Sequence, residues 1–322
     1  MRAAVYDKIG ASAEVLRVQE VPTPDPGPGE VRVRVTLSGV NPTDWKSRSG
    51  LTSRPIDEFQ IPHHDAAGVI DAVGDGVDPA RVGQRVWTWM AAGGRKWGTA
   101  AQWSVVPDRQ AVALPDGVSD ELAVSLGVPA MTAHRCLFAD GPVAGKTVLV
   151  AGGAGAVGHF AIELAKHAGA RVVTTVSGPD KAELAAKAGA DLVVNYREPG
   201  AIDRIKEFGF VDRVIEVALD ANIGLDLAVI APNSEIVTYA STPTDPVVPV
   251  RACMSANVTL RFVLLYGIPS PAFDQAVAGI TAALAAGALT ELPVHRYDLD
   301  DIVAAQDAVQ AGAVGKVVVV PG

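Results

Sequence analysis

Residues 146–158 read KTVLVAGGAGAVG, and the reading of the fold turns on that stretch. Thr147 to Ala151 is a short apolar run with β-branched residues, the mark of a buried strand. Small residues follow without a break from Gly152 to Gly158. Then comes HFAIELAKHAGA, with apolar residues at helical spacing and glycine near its end. The unit is strand, tight glycine turn, helix. Glycine lets the backbone turn sharply and approach a ligand with no Cβ in the way. The first N–H groups and the positive end of the helix then face a pyrophosphate. The pattern is a relaxed dinucleotide fingerprint, with Ala156 and Val157 between the second and third key glycines.

A glycine-rich turn also serves ordinary tight turns, so its context matters. A second strand is predicted over Arg171 to Val176, a helix over Lys181 to Ala188, and a third strand over Asp191 to Asn195. This βαβαβ order predicts a parallel sheet with right-handed crossovers. Later strands are predicted at 211–217, 235–239 and 258–265.

At 322 residues the chain is long enough for two domains. It is 49% hydrophobic and 20% charged, a globular composition. The net charge of −9 and the absence of like-charge runs argue against nucleic acid and anionic membrane as partners. MRAAVYDKIG has no apolar signal core, and no run of about 18 apolar residues occurs. The expectation is a soluble, cytoplasmic protein. Its two cysteines, Cys136 and Cys253, exclude a cysteine-cage zinc and are read as small buried apolar residues.

Residues 1–125 are β-rich. EVRVRVTLS (30–38) alternates, with Val31, Val33, Val35 and Leu37 on one face. Four of the five tryptophans fall within 87–103. Each fits core packing, and as a group they suggest a flat apolar cleft. The nucleotide domain is expected over 126–268, and the tail 269–322 is expected to return to the first domain.

Taken in order, GVNPTD (39–44), DAAGVIDAVGDGV (65–77), VGQRVW (82–87), the glycine turn, KAGADLVVNYRE (187–198) and GKVVV (315–319) make the chain resemble the medium-chain dehydrogenase/reductase superfamily. Within it, the resemblance is to the zinc-free, zeta-crystallin-like quinone oxidoreductases. It implies an α/β protein: a β-rich GroES-like catalytic domain plus a Rossmann domain with a doubly wound parallel sheet. Zinc-dependent relatives put cysteine where Asn41 stands, a histidine-acid pair at His64 and Asp65, and a third ligand near Pro129, where none is possible. No metal is therefore expected, since a catalytic zinc needs three protein ligands.

The implied reaction is NADPH-dependent hydride transfer to a small hydrophobic acceptor, a quinone. The alternatives are an enone or enoyl reductase of the same fold, or a non-catalytic NADPH-binding protein. The second nucleotide strand ends in Ser177 with no carboxylate to repel a 2′-phosphate, and Lys181 adds a positive charge, so NADPH is favoured over NADH. Resemblance places Asn41 and Thr132 near the nicotinamide. It places Gly155, Ala156, Val157 and Gly158 on the pyrophosphate, and Lys181 and Tyr196 at the adenosine phosphate end. Ala240, Ser241, Leu264 and Leu265 would close over the cofactor.

Candidate hydrogen-bond donors to the reduced acceptor are Asn41, Lys46, His63 and His64. Two features depart from the group: Lys46 stands where a tyrosine is common, and His63-His64 replaces a glycine-containing dipeptide. The histidines fit a substrate role or a role holding the loop. Asp44 fits an ion pair with Arg48 or Lys46, one helical turn away. A homodimer through the edge strand 258–265 is also implied.

Overall fold

The computed structural model describes residues 1–52, 55–241 and 245–322. They form two compact units, Met1–Val128 with Glu291–Gly322, and Pro129–Thr290.

The first unit opens with β1 (Arg2–Val5) and β2 (Arg17–Glu20), an antiparallel pair. Then come β3 (Glu30–Val40), β4 (Asp65–Val73), β5 (Arg85–Thr88), β6 (Trp103–Pro107) and β7 (Ala111–Ala113). The alternation predicted for β3 holds: Val31, Val33, Val35 and Leu37 are all buried. Val31 and Val33 pack with Ile70, Val86 and Val106.

The second unit is built on the predicted parallel sheet: β8 (Thr147–Ala151), β9 (Arg171–Val176), β10 (Leu192–Asn195), β11 (Val211–Glu216), β12 (Ile230–Thr238) and β13 (Thr259–Phe262). Their order is β10-β9-β8-β11-β12-β13, and every pairing is parallel. All five residues of β8 are buried, as a strand covered on both faces requires. The order reverses between β8 and β11, the switch point where doubly wound sheets receive ligands at their carboxyl ends.

The chain then re-enters the first unit as β14 (Val294–Asp298) and β15 (Lys316–Val320). The completed sheet runs β14-β15-β3-β4-β5-β7, with β6 also on β3.

Two expectations are corrected. The helix Ser270–Ala285 belongs to the second unit, so the chain returns at Glu291 and not at 269; the first unit also extends past 125, to Val128. The helix buries Ala272, Phe273, Ala276, Ile280, Ala283 and Leu284. It packs on the helix Met131–Phe138 so closely that a Cβ on Gly279 would stand 2.3 Å from the His134 ring. An alanine-rich face packs on whichever neighbour lets the backbones approach, and periodicity does not say which.

The tryptophans, second, each have packing or hydrogen-bond partners of their own among the described residues. Trp87 and Trp89 are buried in the first unit. Trp103 donates to Asp71 at 2.6 Å, and Trp97 packs edge-on against Phe59.

Candidate functional site

The second unit gathers the predicted nucleotide residues at the carboxyl ends of its strands. After β8, Gly152 adopts φ +69°, and Gly155 N–H closes the turn on the Gly152 carbonyl at 2.9 Å. A Cβ on Gly153 would lie 2.1 Å from Thr174 Oγ1, so only glycine lets the turn lie against β9. Gly155 is the N-cap of the helix Ala156–His167 and offers no side chain to its first N–H groups. That leaves an uncapped helix start of the kind that binds phosphate.

Beyond β9, Ser177 is half-buried, and Gly178 caps the helix Pro179–Lys187 without a side-chain bond. Among the described residues, the side chains of Ser177 and Lys181 make no hydrogen bond or ion pair. On the neighbouring strand, Tyr196 N–H donates to the Val176 carbonyl at 3.1 Å, setting Tyr196 and Arg197 beside Ser177. Tyr196 is exposed, with the Arg197 guanidinium 5.9 Å from its ring centre. Sequence reasoning passed over Arg197, although it lies inside the quoted KAGADLVVNYRE segment. Ala240 and Ser241 follow β12, and Leu264 and Leu265 follow β13. Leu264 is exposed and Leu265 buried. Thr132 is buried near the start of the helix Met131–Phe138.

Sequence reasoning also missed a carboxyl pair at the end of β11. Glu216 and Asp226 are both fully buried. Glu216 Oε1 accepts Ala218 N–H and, at 3.0 Å, Asn222 Nδ2. Burial pushes both acids up, and the neighbouring Glu216 charge adds to the rise at Asp226, whose carboxyl goes up to about 9 and so retains a proton. The available signal was an acid in the apolar run LDANIGLDLAV.

The first unit assembles a separate polar cluster. Asn41 is the N-cap of the helix Pro42–Ser49, whose Pro42 suits the first helical position. Asn41 N–H donates to Asp44 Oδ2 at 2.7 Å. Asp44 therefore serves as a capping-box residue and not as the expected ion-pair partner of Arg48 or Lys46. Burial, opposed by backbone hydrogen bonds, pushes its carboxyl up to about 8. Arg48 is occupied elsewhere, by Gln306 at 2.7 Å and the Gly10 carbonyl at 2.5 Å.

His63 is buried, with Ser38 Oγ 2.9 Å from Nδ1 and Gln306 Nε2 3.4 Å from Nε2. Burial, then the charge of Lys316, push its imidazole down to about 3, so it is neutral. Its φ of +76° lies in the left-handed region that favours glycine. His64 is also buried, and its carbonyl accepts Ala91 N–H at 3.0 Å. Lys46 is half-buried, 5.9 Å from the Trp45 ring centre. Asn41 Nδ2 donates to Asp65 Oδ2 at 2.8 Å, and Lys316 Nζ donates to Asn41 Oδ1 at 2.9 Å.

Among the described residues, no three histidine, cysteine or acidic side chains stand together as a metal-holding set. Nor is any helix long and apolar enough to cross a membrane.

Residues 27–116 match the alcohol dehydrogenase GroES-like domain family, and residues 156–282 the zinc-binding dehydrogenase family. The quinone oxidoreductase of Lama guanicoe is 30% identical over 99% of this chain and 97% of its own. A mycobacterial structure complexed with NADPH is 32% identical, covers both chains completely and superposes with a TM-score of 0.86. A structure described as an NAD-dependent alcohol dehydrogenase, at 26% identity and complete coverage, gives 0.89.

Proposed function

Since this chain belongs to the quinone oxidoreductase group of the medium-chain dehydrogenase/reductase superfamily, we propose that it is a zinc-independent reductase that uses NADPH to reduce a quinone. The observation that carries the cofactor preference is the end of β9. The side chains of Ser177 and Lys181 are unengaged there among the described residues, the register of the next strand brings Arg197 near Ser177, and Ser177 follows the strand where NAD enzymes carry a carboxylate.

NADPH, when bound, supplies the hydride. The work of the chain is binding, orientation and proton supply. The close approach of the Gly155 backbone and the first N–H groups of the uncapped helix, those of Ala156, Val157 and Gly158, hold the pyrophosphate. Lys181, Arg197, Ser177 and Tyr196 hold the 2′-phosphorylated ribose. Thr132, Ala240, Ser241, Leu264 and Leu265 enclose the nicotinamide end.

A quinone gaining hydride becomes an oxyanion and needs a donor. Lys46 fits the proton-supplying role best of the four candidates, because it is half-buried while Asn41, His63 and His64 are buried, and an amide such as Asn41 offers a hydrogen bond and not a proton. His63 is neutral and spent on Ser38 and Gln306, which favours its loop-holding role. Zinc independence is supported by the donor set: Asn41 Oδ1 already faces an ammonium, and the position of a third ligand is Pro129.

A homodimer through β13 accompanies this reading. The strand pairs with β12 on one side and ends the sheet on the other, and its Phe262 is exposed. Light scattering at twice the monomer mass is expected, and a clean monomer removes the dimer.

The test of function is NADPH oxidation followed by absorbance with 9,10-phenanthrenequinone, beside a simple enone and with NADH as control. Quinone turnover that prefers NADPH is expected. Enone turnover alone transfers the assignment to alkene reduction. Tight NADPH binding without turnover of either acceptor, or of a wider panel, replaces the enzyme with a binding protein.

A further inference from the structure

Lys316 opens β15, and its side chain is 2% exposed. A lysine enclosed so fully is costly unless its charge is met. Here Nζ donates to Asn41 Oδ1 at 2.9 Å and lies 3.4 Å from Asp65 Oδ2. The same Asp65 oxygen accepts Asn41 Nδ2 at 2.8 Å, and its other oxygen accepts Val128 N–H at 2.8 Å. Two glycines make room for this arrangement. A Cβ on Gly39 would stand 2.8 Å from Lys316 Cε, and one on Gly127 would stand 2.2 Å from Asp65 Oδ1.

The two ends of the Asn41 amide are thereby told apart. An ammonium can only donate, and an ionised carboxylate can only accept. The amide oxygen must face Lys316 and the nitrogen must face Asp65. A flipped amide would set N–H₂ against the ammonium and oxygen against the carboxylate. One Nδ2 hydrogen goes to Asp65, and among the described residues the second has no partner. A cation on the oxygen and an anion on one hydrogen polarise the amide, which strengthens that second N–H as a donor.

We propose that Lys316 and Asp65 are positioning residues that lock the Asn41 amide in one orientation, so that its second Nδ2–H is presented to the carbonyl oxygen of the acceptor. The inference rests on the reductase reading above. A purely structural ion pair would serve as well with any partner for the two charges. A positioning pair acts through Asn41.

Removing one charge leaves the other buried and unmatched, so either single variant can fail to fold. The informative protein is the double variant Lys316→Met/Asp65→Asn, which is neutral and close in volume. With thermal stability and NADPH affinity near wild type, kcat for the quinone is expected to fall about 100-fold, the scale of a misplaced group. In an Asn41→Ala background the same pair of changes is expected to cost nothing further. A double variant with wild-type kcat overturns the proposal, as does an equal loss in the Asn41→Ala background.

A second readout does not depend on turnover. The Asn41 side-chain amide protons, followed by ¹⁵N NMR, are expected to be resolved and protected from exchange in the wild type and to lose that protection in the double variant. If the wild-type protein reduces no acceptor, the reductase reading fails, and these signals decide the positioning claim. Identical amide signals in the two proteins overturn it.

Discussion

A Cβ on Gly158 would stand 2.4 Å from the carbonyl oxygen of Gly152, closer than real side chains approach backbone. The start of the helix Ala156–His167 is thus pressed against its own glycine turn. Gly158→Ala must push the two apart and move the N–H groups assigned to the pyrophosphate. NADPH affinity is expected to fall at least about tenfold, with a stability loss of about 1–3 kcal/mol. Gly178→Ala is the control, since its Cβ meets nothing within 4 Å and its backbone is extended. Fluorescence titration with NADPH checks both; equal affinity in Gly158→Ala and wild type refutes the cradle.

Lys181→Ala and Arg197→Ala are each expected to raise KM for NADPH about tenfold while leaving NADH nearly unchanged. The reason is selective loss of a charge-assisted contact to the 2′-phosphate, worth about 1.5–3 kcal/mol. The ratio of kcat/KM for the two cofactors is the measurement. A parallel loss with both cofactors removes the phosphate assignment.

The carboxyl pair of Glu216 and Asp226 gives the fold a pH dependence with a definite sign. Burial holds both acids above their unfolded values, and the charge of Glu216 raises Asp226 further, to about 9, so the native state carries the extra proton. Their contribution is complete below about pH 4 and is lost as pH rises toward the raised native value. Asp226→Asn removes the titration. Urea unfolding from pH 5 to 9 is expected to show wild-type stability declining relative to the variant, by up to about 1.4 kcal/mol per pH unit. Parallel pH curves for the two proteins contradict a shared proton.

His63 works in the opposite direction. Burial and Lys316 hold its imidazole at about 3, below the unfolded value of about 6.5. Its contribution is present above about pH 6.5 and is lost as pH falls through about 3. His63→Asn keeps a residue that tolerates the left-handed backbone and removes the titration. The variant is expected to resist acid better than wild type below pH 6 while the activity profile between pH 6 and 8 keeps its shape. A profile that loses a limb in that range would restore His63 as a proton donor. Circular dichroism melts and steady-state rates supply the two measurements.

The nucleotide unit was legible because its demands are local. A buried run, a turn that must be glycine and a helix that must start uncapped all lie within 146–167, and backbone geometry enforces each one. The alternation of β3 was legible for the same reason, since side chains on successive residues point to opposite faces. The tertiary structure decided what depends on residues far apart in the chain. It alone joined Asn41 to Asp65 and to Lys316, across sequence separations of 24 and 275. It showed that His63 is spent on Ser38 and Gln306 and that Asp44 caps a helix. It also assigned the helix Ser270–Ala285 to the second unit. Burial and partnership depend on which distant surfaces meet, and no periodicity within a segment carries that information.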